Sequence, residues 1–552
     1  MKLKKVIASG EGKSKSFKRI VTIIVIAVLA FLYYYAELPA INIHSGGFWG
    51  FIIVLAVILV FGFLIVPAVH RASDRGDSSP DWKHEKAAKT GILVVLGIIG
   101  VFIIGSILSS PIVNAKKYQQ LLTVKESDFT KDIQEVDMKK IPLMDRDSAT
   151  LLGNRKMGSM ADMVSQFEVS SEYSQINYKN TPVRVSPLQY ASVIKWLTNQ
   201  SSGIPAYIKI DMATQDTELV KLSQPIRYSK SEHFNRKIER HLRFRYPTYI
   251  FDTPNFEIDE QGTPWWICPV KDYTIGLFGG ETIGRVVLCN AQTGETRDMA
   301  VQDVPQWVDK VYSADMLNGF YNYYGTLKHG YFNSILGQKD CLKTTDGYNY
   351  LALNDDVWVY TGVTSVTGDQ SIVGFVLMNQ RTKETKFYSV SGAVESSAMG
   401  SAEGQVQNLG YKATFPLLLN TADQPTYFIA LKDDAGLVKK YAMVNVQKYQ
   451  IVAIGDTVPD CMKNYKALMK TNGIKTNAST QDADKTATGK IKKIAQAVQD
   501  GNSHYYVMLE NDNHLYDINL ADNVAFLRYS EGDTVTLTYT EGTPACTVTK
   551  VG

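Results

Sequence analysis

The chain has 552 residues but no long apolar run after Val113, no C-x-x-C pair, no G-x-S-x-G elbow and no G-K-[ST] step after its glycine-rich stretch at Gly276 to Gly284. Each absence removes a class of function. Five cysteines (Cys268, Cys289, Cys341, Cys461, Cys546) are too few, too scattered and too odd in number for a disulfide-built secreted scaffold, and their spacing offers no zinc signature. Cys268 and Cys289 fall in neighbouring expected strands, where they read as one disulfide or, more plainly, as two buried thiols. A formal net charge of +3 supplies no field for nucleic acid. Gly276 to Gly284 is glycine-rich, but a strand follows it, so it reads as a loop between strands rather than a phosphate cradle. Eight histidines lie apart from any nucleophile elbow, and the calcium loop D-x-[DN]-x-[DN]-G is missing. No catalytic, cofactor-binding or metal-ligating residue is assigned, and the expectation is a protein that is not an enzyme and carries no cofactor.

Three uncharged apolar stretches are present instead, at Ile20 to Ala36, Phe48 to Val69 and Gly91 to Val113. They hold 17 to 23 residues each. At about 1.5 Å per residue each can cross a hydrocarbon core of roughly 30 Å, the first only just. Lys2, Lys4, Lys5, Lys13, Lys15, Lys18 and Arg19 precede the first stretch, and Arg71, Arg75, Lys83, Lys86 and Lys89 lie between the second and third. The link from Glu37 to Gly47 has no Lys or Arg. The positive-inside bias therefore keeps the N-terminus in the cytoplasm and exports everything after the third span, with Lys116 and Lys117 a mild counter-signal. Tyr33, Tyr34, Tyr35, Phe48 and Trp49 suit an interfacial belt, and the residues around them make a poor signal-peptide cleavage site. No Asp, Glu, Lys, Arg or His lies inside a span, so no ion or proton path is expected there.

The exported part repeats itself. Leu288 to Thr296 and Leu377 to Thr385 share Leu, Asn, Thr, Glu and Thr, with looser copies at Ile210 to Leu219 and Met443 to Val452. Each reads as a β-hairpin with a polar turn. A second hairpin with an acidic turn precedes three of them, at Phe256 to Ile267, Tyr350 to Tyr360 and Tyr427 to Leu437; Asp and Asn there cap their own backbone. Helices are expected between hairpins: one opening at Ser186 to Gln189 and carrying Tyr190, Val193, Ile194 and Leu197, one at Ser229 to Glu232 with Phe234, Ile238 and Leu242, one at Asp303 to Gln306 through Trp307, Val308 and Val311, and a weaker one from Ala402 to Leu409.

A helix followed by paired hairpins, with turns such as Asn290 to Glu295, resembles the PepSY-like modules of bacterial envelope proteins, whose strands often carry a V-D-x-x-T-G-E turn. Asn290 stands where Asp is usual, and Lys383 replaces Gly in the second copy. The layout as a whole is similar to uncharacterised multi-pass envelope proteins of Gram-positive bacteria. The resemblance implies binding, inhibition or scaffolding.

A polar linker follows the repeats. After it, five short strands (Lys490 to Val498, His504 to Glu510, His514 to Ile518, Asp533 to Tyr539, Ala545 to Val551) are similar to an OB-type barrel. Tyr505, Tyr506 and Tyr516 could stack bases there, but few basic residues follow Lys493 and nucleic acid is not the expected partner. The densest basic patch of the exported part includes Arg236, Lys237, Arg240, Arg243 and Arg245, read either as a site for anionic headgroups or wall polymers or as a solvated helix face beside Glu232 and Glu239.

The expected organisation is a cytoplasmic tail (1–19), a three-helix membrane anchor (20–113), a connecting segment (114–180), an α+β region of helix-plus-antiparallel-hairpin repeats (181–469), a linker (470–489) and a small all-β OB-like barrel (490–552). The expected function is a plasma-membrane, multi-pass, non-enzymatic protein whose extracytoplasmic part binds or scaffolds another envelope protein or cell-wall polymer, with the lipid bilayer as its other partner. An envelope hydrolase with a site between repeats is the alternative.

Overall fold

The computed structural model describes residues 21, 23–60, 82–135, 141–367, 371–472, 474, 485–499, 502–520, 523–540 and 545–552. The basic tail (1–19) and the 61–81 half of the second span and its following loop lie outside these residues. The chain divides into two compact units, residues 1–468 and 469–552.

Apolar helices open the first unit. Trp82–Leu108 contains Lys89–Leu108, 20 residues of mean hydropathy 2.9 with none of them buried, which is long enough to cross a bilayer. Ile23–Glu37 and Gly46–Leu59 are apolar but shorter. Among the described residues one helix therefore has spanning length.

Four antiparallel sheets follow, built on one plan in which two short strands pair with one long strand and two more strands continue outward. In the first sheet Phe167–Val169 and Ser174–Tyr178 pair with Thr181–Tyr190, and Ile204–Asp211 and Thr217–Ile226 follow. In the second, Ile250–Phe251 and Asn255–Ile258 pair with Pro264–Ile275, followed by Gly279–Asn290 and Thr296–Ala300. The third uses Leu342–Thr344, Asn349–Leu353, Asp356–Ser365, Gly374–Asn379 and Thr385–Tyr388, with Val124–Ser127 added in parallel at its edge. The fourth uses Lys412–Ala413, Leu417–Thr421, Gln424–Lys432, Val438–Asn445 and Val452–Gly455. A helix precedes each sheet: Arg146–Gly158, Ile238–Arg245, Ala314–Thr326 and Glu395–Gln405. The repeating region thus begins near Arg146, inside what the sequence suggested was a connecting segment.

The shared turn has a single physical cause. Between the last two strands of every sheet, Asp211, Asn290, Asn379 or Asn445 accepts through Oδ1 the N–H groups two and three residues on, at 2.8 to 3.1 Å. Four residues after the cap, Gln215, Gly294 and Lys383 all sit at positive φ (64°, 75° and 65°). Glycine is needed in only one of them, because a Cβ at Gly294 would lie 2.4 Å from Tyr228. Asn290→Ala should cost about 1 kcal/mol, as loss of such a cap usually does. Asn379→Ala should cost more, since its Nδ2 also donates to buried Asp356 at 2.8 Å; thermal midpoints of the two variants test that order.

Four helix expectations need correction. Residues 181–190 form a strand buried on both faces, and the helix begins later, at Val193–Asn199 with Ser192 as its cap. Val193, Ile194 and Leu197 are 55–69% exposed, so the apolar stripe does not cover the sheet; Trp196 does the packing. The segment at Asp303 is a single 3-10 turn (Val301–Asp303) followed by irregular chain with a turn at 306–307. Its N–H groups are taken by partners far away in sequence, Asp309 and Lys310 by Glu257 and Val311 and Tyr312 by the Gln380 carbonyl, which holds it out of a helix while Val308 and Val311 still fill the core. The helix expected from Ala402 starts seven residues earlier, at Glu395, and gives way to a short 3-10 turn at Gln407–Leu409. The Ser229 cap is present, its Oγ accepting Glu232 N–H at 3.2 Å, but the helix is broken into Phe234–Arg236 and Ile238–Arg245, with Phe234 exposed. In the fourth sheet the acidic turn at Asp433 follows the long strand; the counterpart of the Asn354–Asp355 turn is Ala422–Asp423, both pairs at positive φ. All five cysteines are free and buried.

The second unit is a closed five-stranded barrel. Its strands, Lys485–Gln499, Asn502–Leu509, Leu515–Asn519, Thr534–Thr540 and Cys546–Val551, close in the order first, second, third, fifth, fourth. Tyr516 is fully buried in its core and Tyr505 packs on Phe526 at 5.4 Å.

Candidate functional site

Two regions of the first unit gather polar groups where elements meet. The first is the seat of the repeats on the apolar helices. The second hairpin of the second sheet, Pro264–Ile275 with Gly279–Asn290, reaches them with its tip. Ser109, at the end of the long apolar helix, accepts Leu277 N–H at 2.8 Å and Phe278 N–H at 3.1 Å through Oγ. Phe278 packs on Phe102 (4.9 Å) and Trp49 (6.2 Å), and His44 Nδ1 donates to Leu277 O at 2.8 Å. The glycine-rich stretch is a loop only at residues 276–278, since 279–284 belong to the strand Gly279–Asn290, and its composition has a use: a Cβ on Gly279 would lie 2.1 Å from Ser109 O.

The basic helix docks beside it. Arg243 is buried and donates to four carbonyls, through Nε to Leu38 O at 2.8 Å and through Nη1 to Tyr246 O, Pro247 O and Tyr249 O at 3.3, 3.3 and 2.6 Å. Arg240 lies over the Tyr35 ring at 4.0 Å and donates to Phe234 O and Tyr35 O. Arg236 donates to Gln200 O at 2.6 Å and lies 4.0 Å from Glu232, itself buried between Tyr190 OH and Trp196 Nε1 at 2.8 Å each. Lys237 is half-buried on the wall of a cavity of about 460 Å³ with Glu37, Leu38, Lys230, Glu239 and Arg243, whereas Arg245 is exposed. The five basic residues therefore share one short segment but not one surface. Arg240 and Arg243 face the end of the first apolar helix.

The second region lies where the first, third and fourth sheets meet. Arg184, on the long strand of the first sheet, is 6% exposed and lines a cavity of about 200 Å³ with Asp145, Tyr348, Tyr350, Phe415 and Phe428. Its Nη2 donates to Gln175 Oε1 at 3.3 Å, and its Nε has no acceptor. Among the described residues no carboxylate lies within 4.0 Å of it; burial pushes the guanidinium below the usual arginine value. Asp145, the nearest acid of the wall, is already held by Lys432 and by Ser148 N–H. Nothing local in the chain marks this burial. A single Arg between Val183 and Val185 reads as the solvent face of an ordinary strand, and only the covering of both faces buries it.

Nearby, Glu257 accepts Asp309 N–H and Lys310 N–H at 2.9 and 3.0 Å, and Asp309 Oδ2 accepts Asn177 N–H at 2.7 Å. Burial raises both carboxyls. Among the described residues no group of three potential metal ligands forms. The thiols of Cys289 and Cys461 are pushed up to about 12 by burial, which is the opposite of nucleophile activation. His241 Nε2 donates to Gly294 O at 2.8 Å, a structural contact.

No family model matches the chain, and no curated protein matches it. Among solved structures, one described as "Structural mimicry for functional antagonism" is 10% identical with a TM-score of 0.10, over 26% of this chain and 85% of the other. A mutant of Synechocystis apocarotenoid oxygenase is 9% identical with a TM-score of 0.16, over 53% and 65%. An ancestral GH74 enzyme is 10% identical with a TM-score of 0.15, over 62% and 40%. At these values none carries an argument about fold or activity.

Proposed function

We propose that the chain is a membrane-anchored, non-enzymatic binding or scaffolding protein of the bacterial cell envelope, with three spans, a cytoplasmic N-terminus and an extracytoplasmic repeat region. The observation that carries this reading is the seat described above. The repeat region rests on Leu38 and Ser109, near the ends of the first and third apolar segments, on the side of the link from Glu37 to Gly47 that has no Lys or Arg. The basic segments belong to the opposite side, and the positive-inside bias makes that side cytoplasmic. We read the four copies of one helix-and-sheet plan, with their shared Asn or Asp turn, as PepSY-like modules, and the barrel, with Leu515–Asn519 parallel to Cys546–Val551, as OB-like. Lys237 and Arg245 are the members of the basic patch left to meet an anionic wall polymer or headgroup.

Protease added to intact cells should cut within residues 114–552 and spare a tag at the N-terminus. Cleavage of the repeats only after lysis would overturn the orientation. In the same cells, crosslinking should recover a specific envelope protein or wall polymer on the exported part; recovery of none would overturn the binding role.

A further inference from the structure

Arg184 presents a problem that the fold does not solve by itself. A guanidinium removed from water normally has a carboxylate or a full set of acceptors, because burying a charge without them costs several kcal/mol. Here the only acceptor among the described residues is the neutral Gln175 Oε1, and Gln175 Nε2, beside it, also has no partner. Both residues are more than nine-tenths buried. The wall's own acid, Asp145, is engaged by Lys432 and caps the helix Arg146–Gly158. Asn349 is satisfied as well, donating to Phe415 O and Pro416 O at 3.2 Å.

Most of the remaining wall is apolar, with Met144, Met212 and Leu417 beside four aromatic rings. Tyr348, Tyr350, Phe415 and Phe428 come from the third and fourth sheets and face the first sheet across it. A volume of about 200 Å³ equals roughly six or seven waters at about 30 Å³ each. That is below the roughly 300 Å³ at which pockets for drug-sized molecules begin, so the occupant has about ten non-hydrogen atoms. Guanidinium pairs with carboxylate in a bidentate geometry, and aromatic walls accept a flat or apolar body.

We propose that this cavity binds a small monocarboxylate with an aromatic or similarly apolar body, its carboxylate on Arg184 and its body among Tyr348, Tyr350, Phe415 and Phe428. The proposal deepens the binding role proposed above. It is tested on purified protein, so its failure leaves the protease and crosslinking results standing, and theirs leaves it standing.

Calorimetric titration of the full chain in detergent micelles uses benzoate, benzamide as its uncharged counterpart, and inorganic phosphate as an anion without a body. Benzoate should bind saturably at one site, at least tenfold more tightly than benzamide or phosphate, and Arg184→Gln should weaken benzoate at least tenfold while leaving the ligand-free thermal midpoint level or higher. Equal binding of benzoate and benzamide, equal binding of phosphate, unchanged binding by Arg184→Gln, or no benzoate binding at millimolar concentration would each overturn it. If Arg184→Gln does not fold, Phe415→Trp decides: it keeps the arginine and fills the space, so benzoate binding should be lost, and its retention sinks the proposal.

Discussion

Arg243→Met should detach the end of the first apolar helix from the repeats, at a cost on the order of 3–5 kcal/mol. The arginine donates to four carbonyls of two segments: Leu38 on one side and Tyr246, Pro247 and Tyr249 on the other. Hydrogen bonds to a charged group contribute about 1.5–3 kcal/mol each, and a carbonyl left buried without a donor costs about 1–3 kcal/mol. Met keeps the apolar stem and removes only the donors. Burial lowers the guanidinium from its usual value, so part of the gain already offsets desolvation and the sum of four bonds is an upper bound. Ile41 N–H, bonded to Pro247 O at 2.7 Å, reports on the joint. Its hydrogen exchange should speed up at least a hundredfold in the variant, whereas Arg243→Lys, with a single ammonium for carbonyls that lie apart, should fall between. Exchange at Ile41 within threefold of the parent would show that Ser109 and the hairpin tip hold the seat alone.

The same helix shows what could be read without coordinates. Its amphipathic pattern was legible, since Ile238 and Leu242 are buried and the charges flank them, but the use of those charges was not. Arg243 meets Leu38 across 205 positions of sequence, and nothing local marks such a pair. The repeated turn was legible for the opposite reason: Asn290, Asn379, Asp211 and Asn445 satisfy N–H groups within three residues, so the requirement is written locally. Ser186 to Gln189 misled because a capping pattern states only that a helix could start there. Tertiary pairing of residues 181–190 with strands on both sides overrode it. The strands of the barrel were found to within a few residues, each bounded by polar turns, while the cavity at Arg184 arises only where three sheets converge.

Stability should fall as pH rises from about 4.5 to about 7, and Asp309→Asn should flatten that fall. Glu257 is buried and its carboxyl is raised from 4.5 to about 7, by burial against the opposing pull of Asp309 N–H and Lys310 N–H. Asp309 is also raised, by burial and then by the charge of Glu257. The groups around the pair are Lys310, Asp355, whose Oδ1 accepts Asn177 Nδ2 at 3.2 Å, and Asp356, which Arg381 neutralises through two hydrogen bonds. A carboxyl raised on folding binds more protons in the folded chain than in the unfolded one. Its contribution is fully present below the unfolded value and is lost as pH climbs through the folded one. Asn at 309 keeps an oxygen for Asn177 N–H, replaces the unpartnered Oδ1 with a donor and removes the like charge facing Glu257. One pKa unit corresponds to about 1.4 kcal/mol, so the variant should be more stable than the parent at pH 8 by on the order of 1–3 kcal/mol and nearly equal to it at pH 4.5. Thermal midpoints in micelles at the two pH values measure both. A variant that is less stable at pH 8, or that loses as much stability as the parent over the interval, would show that the pair is held by its backbone donors and not opposed by its own charge.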